Sequence, residues 1–294
     1  MILPYLLDQA ERLGIGIALV VTVLGALYLW QQAVKNVGPN NMLRNFNLRQ
    51  SQEIGGADYP DGKNDIYSTF EGDVSRNVKP YKINLIYPAT ERHVLKHTDQ
   101  SYHMVVETKE AYRMITKAYI ESIPADNVEW VYNILDHKSE TERIVYEDSH
   151  PCTGFVLLPD FKWSDPSKLE SLYCLAIVRD RSLRSLRDLS GSNLKLLRNI
   201  RNAGLEVLRE KFGVNPSSIR MYLHYQPTYY HLHVHFSHVK MTQGTLVGKA
   251  VLLEDVIYNL SVNSDHYKNA TLSFVIGELQ HKQLFELYRE KHII

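Results

Sequence analysis

The sequence is short of the features that would give several common functions away. Only two cysteines occur in 294 residues, Cys152 and Cys174. That excludes a disulfide framework and a cysteine-rich zinc site, and it fits a reducing compartment. An excess of positive charge is also missing, since Lys plus Arg and Asp plus Glu both number 33 and the formal net charge is zero. Proteins that grip long nucleic acids carry a basic surplus on the binding domain. The balance here points to a small or short substrate held in a pocket. No internal repeat is visible, and no His-Glu-x-x-His pattern of a zinc hydrolase. What the chain has in quantity is tyrosine, with nineteen, and histidine, with thirteen.

Leu13 to Trp30 is an uncharged run of eighteen residues, and Ala33 and Val34 can lengthen it. It lacks a polar face and reaches the lower end of what crosses a bilayer as a helix. Asp8 and Glu11 precede it with only Arg12 as a cation, so it is not built like a cleaved signal. Residues 1–36 are therefore read as a candidate membrane anchor, with contact through residues 13–34. Lys35, Arg44 and Arg49 follow, which puts the larger part of the chain on the cytosolic side by the positive-inside rule. Residues 37–63, rich in Gly, Asn, Asp and Gln with Pro39 and Pro60, read as a linker.

Beyond the linker, runs of β-branched and aromatic residues bounded by turn formers predict strands. They are YKINLIYPA from Tyr81, VEWVYNIL (Val128 to Leu135), ERIVYED (Glu142 to Asp148), GFVLLPD (Gly154 to Asp160), SLYCLAIVRD (Ser171 to Asp180), IRMYLHYQP (Ile219 to Pro227) and YYHLHVHFSHV (Tyr229 to Val239). Helices are predicted over Lys109 to Ile123, Ser192 to Phe212 and Glu278 to Lys291. In the second, Leu194, Leu197, Ile200, Gly204 and Leu208 fall on one face, Ser190 or Ser192 can cap the start and Gly213 can end it. The fold class is α+β with a largely antiparallel sheet.

The chemistry concentrates in His231-Leu-His233-Val-His235. Strand side chains alternate, so the three imidazoles share one face at roughly 6–7 Å spacing, and Leu232, Val234 and Phe236 share the other. Imidazole exchanges protons near neutral pH and attacks phosphorus as a nucleophile. Three readings stand beside each other: a histidine-rich strand without chemistry, a metal site completed by His224, His238 or an acid, and nucleophilic catalysis on a phosphate centred on His233. The third accounts best for the strict alternation.

The run His231-Leu-His-Val-His235-Phe-Ser resembles the histidine-triad signature. The longer run YLHYQPTYYHLHVHF (Tyr222 to Phe236) resembles the scavenger mRNA decapping enzymes, 7-methylguanosine-cap diphosphatases of that superfamily. NDIYST (Asn64 to Thr69), YPATERH (Tyr87 to His93), WVYNILD (Trp130 to Asp136), FVLLPDFKW (Phe155 to Trp163), SLRDL (Ser185 to Leu189) and LLRNI (Leu196 to Ile200) agree. The resemblance implies a remnant of the family's N-terminal domain over 64–100 and a histidine-triad catalytic domain over 101–294. It implies attack by His233 on the phosphate that bears the methylated guanosine, through a phosphohistidine, with no metal or cofactor.

By the same resemblance His231 and His235 flank the nucleophile, and His224, Thr228, Tyr229, Lys162 and Lys249 contact phosphates. Family members carry Ser at Thr228 and Arg at Lys249. Trp130 stacks on the cap base and Glu140 reads its edge. Pro159 and Asp160 close the other side, and Lys96 reaches in from the N-terminal region. A cationic base rewards an aromatic face and nearby carboxylates. One of Tyr229 and Tyr230 is expected to serve packing alone. The implied partners are a methylated cap dinucleotide or short capped RNA, and a second copy in a homodimer. The implied location is cytoplasmic or nuclear. The family's earlier N-terminal strands have no visible counterpart, which puts dimer exchange in question. A histidine-triad hydrolase of general nucleotides, or a cap-binding regulator that has lost turnover, are the alternatives.

Overall fold

A computed structural model describes residues 89–294 except 164, together with the segments 49–50, 67–72 and 81–86. The chain divides into two compact units, residues 1–53 with 66–87, and residues 54–65 with 88–294. In the first, β1 (Arg49–Gln50), β2 (Tyr67–Gly72) and β3 (Tyr81–Ile86) form a three-stranded antiparallel sheet in that order. The candidate membrane span at 13–34 lies outside the described residues. Among the described residues no helix is long and apolar enough to cross a membrane.

The second unit opens with α1 (Glu91–His97) and β4 (Tyr102–Glu107). The helix predicted over Lys109 to Ile123 follows as α2, built from an α-helical turn at Lys109–Ala111, a π-helical turn at Tyr112–Thr116 and an α-helical end at Lys117–Ser122. Then come α3 (Glu129–Leu135), β5 (Tyr146–Glu147), β6 (Phe155–Pro159) and β7 (Tyr173–Val178). The long helix α4 (Leu194–Phe212) leads to β8 (Ile219–His224) and β9 (His233–His238). The chain continues through β10 (Ala250–Leu252), α5 (Leu253–Val262), α6 (His266–Asn269), β11 (Leu272–Gly277) and α7 (Lys282–Glu290).

The main sheet is antiparallel with strand order β10-β8-β9-β7-β6-β5, so the histidine strand β9 is central and paired on both edges. A separate two-stranded sheet joins β11 to β4. The α+β class holds. Three local expectations need correction. Val128 to Leu135 is a helix, because Val131, Ile134 and Leu135 are its buried residues, and that i, i+3, i+4 spacing outweighs the β-branched composition. ERIVYED contributes only the edge pair Tyr146–Glu147, after a 3₁₀ turn at Thr141–Arg143. Asn193 precedes α4 without a side-chain capping bond to it, while Ser190 caps the preceding 3₁₀ turn. Gly213 does end α4, at φ 67°, a left-handed conformation that suits glycine.

The core beneath the histidine strand is closed by α4. Val234 and Phe236 are fully buried on the back of β9, and the Phe236 ring lies where a side chain on Gly204 would stand, with Cζ 2.5 Å from an ideal Cβ. A buried ion pair, Arg187 with Glu107 at 2.6 Å, anchors the other flank. Tyr225 bonds Glu107, Tyr288 donates to it at 2.7 Å, and the Thr116 hydroxyl of the π turn donates at 2.5 Å. Tyr225 follows His224 directly, so this network fixes the exit of β8 toward the site.

Candidate active site

His231, His233 and His235 are all buried, at 1–4 % exposure. Their protons can be placed from their partners. A carbonyl oxygen only accepts, so a ring nitrogen beside one must carry hydrogen. His233 Nδ1 lies 2.7 Å from the His231 carbonyl, which leaves the lone pair on Nε2. Burial pushes the His233 pKa down to about 4, with the bond to the His231 carbonyl opposing that shift. At neutral pH the ring is therefore uncharged, with a lone pair on the nitrogen away from the strand backbone. That is the state a nucleophile needs.

The neighbours are fixed in the same way. His231 stands just ahead of β9 rather than within it, and its Nε2 donates to the Val178 carbonyl at 2.7 Å. His224 Nε2 donates to the Gly244 carbonyl at 2.7 Å, and burial, followed by the charge of Lys249, lowers its pKa to about 3. The His235 ring sits 4.8 Å from that of His233 and 4.1 Å from that of His224. Among the described residues, no group of three or more His, Cys, Asp and Glu side chains is placed to hold a metal ion.

Tyr229 stacks on His233 at 4.2 Å and 16°, and Trp130 meets Tyr229 edge-on at 4.8 Å. A continuous line of rings thus runs from α3 to the central imidazole. Trp130 is 41 % exposed, unusual for a tryptophan and suited to a surface that receives a ligand. Tyr230 turns the other way, with its hydroxyl on Gln226 at 3.1 Å and its ring against Tyr119. Tyr230 thus stands off the line of rings and lines a cavity with Lys96 and Thr228.

Glu140 adopts a left-handed conformation at φ 55° and pairs with Arg143. Arg143 also donates to the Pro159 carbonyl at 2.7 Å, so it ties Glu140 to the end of β6. Burial raises the Glu140 pKa against the pull of Arg143. Lys162 Nζ lies 3.1 Å from both oxygens of the buried Asp160, and 4.4 Å over the Tyr173 ring. Burial, then the charges of Lys96 and Lys162, lower the pKa of Lys249. The positive charge of Lys96 and Lys162 is thus felt at Lys249. Lys96 and Thr228 also share the wall of a cavity of about 430 Å³ with Tyr119 and Asn127, while Trp130 and Glu140 stand outside it.

Sequence reasoning did not single out Arg143, Tyr173 or Tyr222. Arg143 lay in a presumed strand. The two tyrosines lay in predicted strands with no role assigned, and only the register of three strands brings them to His235.

Comparison with known proteins agrees with this arrangement. The family model described as scavenger mRNA decapping enzyme C-term binding matches residues 129–249, and the N-terminal model of the same enzyme matches residues 32–100. An m7GpppX diphosphatase of Ascaris suum is 47 % identical over 217 residues, covering 74 % of this chain and 71 % of its own length. Those of Caenorhabditis elegans and Mus musculus are 41 % and 45 % identical, covering 78 % and 72 % of this chain. The chain spans 72 % of the length of the nematode protein and 63 % of that of the mouse protein. A histidine-triad type of site on an antiparallel sheet is thus matched by sequence likeness over most of the chain. The chain belongs to the scavenger mRNA decapping enzyme family. The C-terminal match runs from the start of α3 to Lys249 and so takes in every candidate site residue but Lys96. The N-terminal match begins at residue 32, so it takes in the whole segment read as a linker and the last residues of the candidate anchor.

Proposed function

We propose that the chain hydrolyses the 5′–5′ triphosphate bridge of 7-methylguanosine cap dinucleotides and short capped RNA fragments. The products are 7-methylguanosine monophosphate and a diphosphate. The observation that carries this reading is the line of rings from Trp130 through Tyr229 to His233, which joins a platform for a cationic base to an uncharged nucleophile. His233 Nε2 attacks the phosphorus that bears the methylated guanosine. A P–N bond forms, the bond to the bridging oxygen breaks, and that oxygen leaves on the diphosphate and takes a proton. Water then attacks the phosphohistidine and gives up a proton, balancing the one taken by the leaving oxygen, the P–N bond breaks, and Nε2 recovers its lone pair.

The residues around this path support the chemistry. The charges of Lys96 and Lys162 act on Lys249, and a triphosphate would offset the positive charge gathered there. Glu140 and Asp160 offer negative charge to the methylated base, whose cation prefers an aromatic face. The test is to incubate the full chain with a methylated cap dinucleotide and with its unmethylated analogue. Cleavage of the methylated substrate is expected, and His233→Asn should remove it by several orders of magnitude while cap binding persists. Trp130→Ala should weaken the methylated ligand by about 2 kcal/mol more than the unmethylated one. Equal cleavage of both substrates would favour a general nucleotide hydrolase. Binding without cleavage would favour a regulator.

A further inference from the structure

Two tyrosines outside the histidine run stand in a chain that ends on it. Tyr222 of β8 is directly opposite His235 in the sheet register, and its ring stacks on the imidazole at 5.0 Å and 17°. Tyr173 belongs to β7, where Leu175 is opposite His235, so Tyr173 is the diagonal neighbour on the same face. The Tyr222 hydroxyl donates to the Tyr173 hydroxyl at 2.9 Å, and the Tyr173 hydroxyl lies 3.1 Å from His235 Nδ1. All three side chains are buried. We infer that Tyr173 and Tyr222 are positioning residues that hold His235 as its Nε2–H tautomer. The second ring nitrogen is thereby a neutral hydrogen-bond donor to the phosphate chain. The role of this donor rests on the phosphoanhydride cleavage proposed above.

Counting protons fixes the direction of the chain. Each phenol has one hydrogen, and burial raises both phenol pKa values, so both rings keep it. With Tyr222 donating to Tyr173 and Tyr173 donating to His235 Nδ1, every phenolic hydrogen is used. If Nδ1 carried the hydrogen, Tyr173 would have to accept it. Tyr222 already donates to Tyr173, so the Tyr173 proton would then be left without an acceptor in a buried site, which is costly. The same choice puts hydrogen on His235 Nε2, a buried atom without a partner among the described residues. It belongs to the ring next to that of His233, the attacking residue. The imidazole remains uncharged, because burial and then the charges of Lys162 and Lys249 oppose protonation, as any charge on His224 or His233 would.

The tautomer decides what this nitrogen offers the substrate. As phosphorus is attacked, negative charge grows on its oxygens and on the leaving oxygen. A donor already in place stabilises that charge without reorganisation, whereas a lone pair at the same position would repel it. The bond made by one imidazole nitrogen sets the state of the other. The relay therefore acts on the reaction without either tyrosine needing to touch the atoms that react.

The experiment is nitrogen NMR on the full chain labelled with ¹⁵N-histidine, with the His235 ring assigned by difference against His235→Gln. At neutral pH and without substrate, His235 should show a hydrogen-bearing Nε2 and a bare Nδ1. Tyr173→Phe keeps the ring and removes the donor. It should move His235 toward a mixture of tautomers and lower kcat by about 100-fold, with KM changed by less than about threefold. Tyr222→Phe should move both readouts in the same direction by less. A hydrogen on Nδ1 in the unsubstituted protein would overturn the inference. So would a Tyr173→Phe variant that keeps its tautomer, or that changes tautomer without losing kcat. The tautomer is read without substrate, so a failure of the cap-hydrolysis reading would leave that result standing and be recognised separately.

Discussion

Four imidazoles are kept uncharged by the same cause. His224, His231, His233 and His235 all have lowered pKa values, with burial the largest contribution in each, to about 3 for His224 and about 4 for His233. In the unfolded chain these histidines take up protons near pH 6.5. Between that pH and the folded values the unfolded state binds more protons, so stability rises with pH across the window and is lost as pH falls below about 6.5. Each histidine contributes a slope of up to about 1.4 kcal/mol per pH unit. Urea unfolding at pH 7, 6 and 5, in buffers free of phosphate, should show a progressive fall in midpoint. A flat profile would mean that the rings are charged in the folded protein. The placing of His233 and His235 on one face was legible in the sequence, because strand alternation is a local rule, whereas His231 falls ahead of the strand. The tautomers of His231 and His224 were not legible, since their acceptors come from Val178 and Gly244, far along the chain.

At the scale of elements, the histidine strand depends on the helix behind it. Gly204 in α4 accommodates the Phe236 ring of β9. Gly204→Ala gains about 1 kcal/mol in helix propensity, but overpacking a closed core costs about 1–3 kcal/mol. Phe236 is fully buried and cannot turn to solvent, so the clash should prevail. The expected result is a loss of about 1 kcal/mol in urea unfolding and a larger loss for Gly204→Val. An unchanged or raised midpoint for both would show that the ring can move. The sequence placed Gly204 on the buried face of this helix, and its 3.6-residue period made that legible. The helix that carries Trp130 was misread as a strand, because a short run of Val, Tyr and Ile supports either period until its buried partners are known.

At the scale of the whole molecule, the least local features were the least legible. The sheet of β4 with β11 and the Arg187–Glu107 pair join segments distant in sequence, and no run of residues announces them. The apolar segment from Leu13 to Trp30 precedes the region that matches the family, which begins at residue 32. We propose that it tethers the enzyme to a membrane with the catalytic part in the cytosol. Deletion of residues 1–34 should then move the protein from the membrane pellet to the soluble fraction with its specific activity intact. Full-length protein that is soluble without detergent, and aggregates on deletion, would instead make the segment part of a core.

The two sides of β9 are so unlike that the strand has only one tolerable alignment. A shift of one residue against β7 or β8 would turn Phe236 toward the lysines and drive imidazoles against α4. Such a slip would sacrifice the oily interior and the reactive surface together. The strand therefore cannot yield a stable but idle neighbour of the native state, and correct folding and chemical competence are reached in one step.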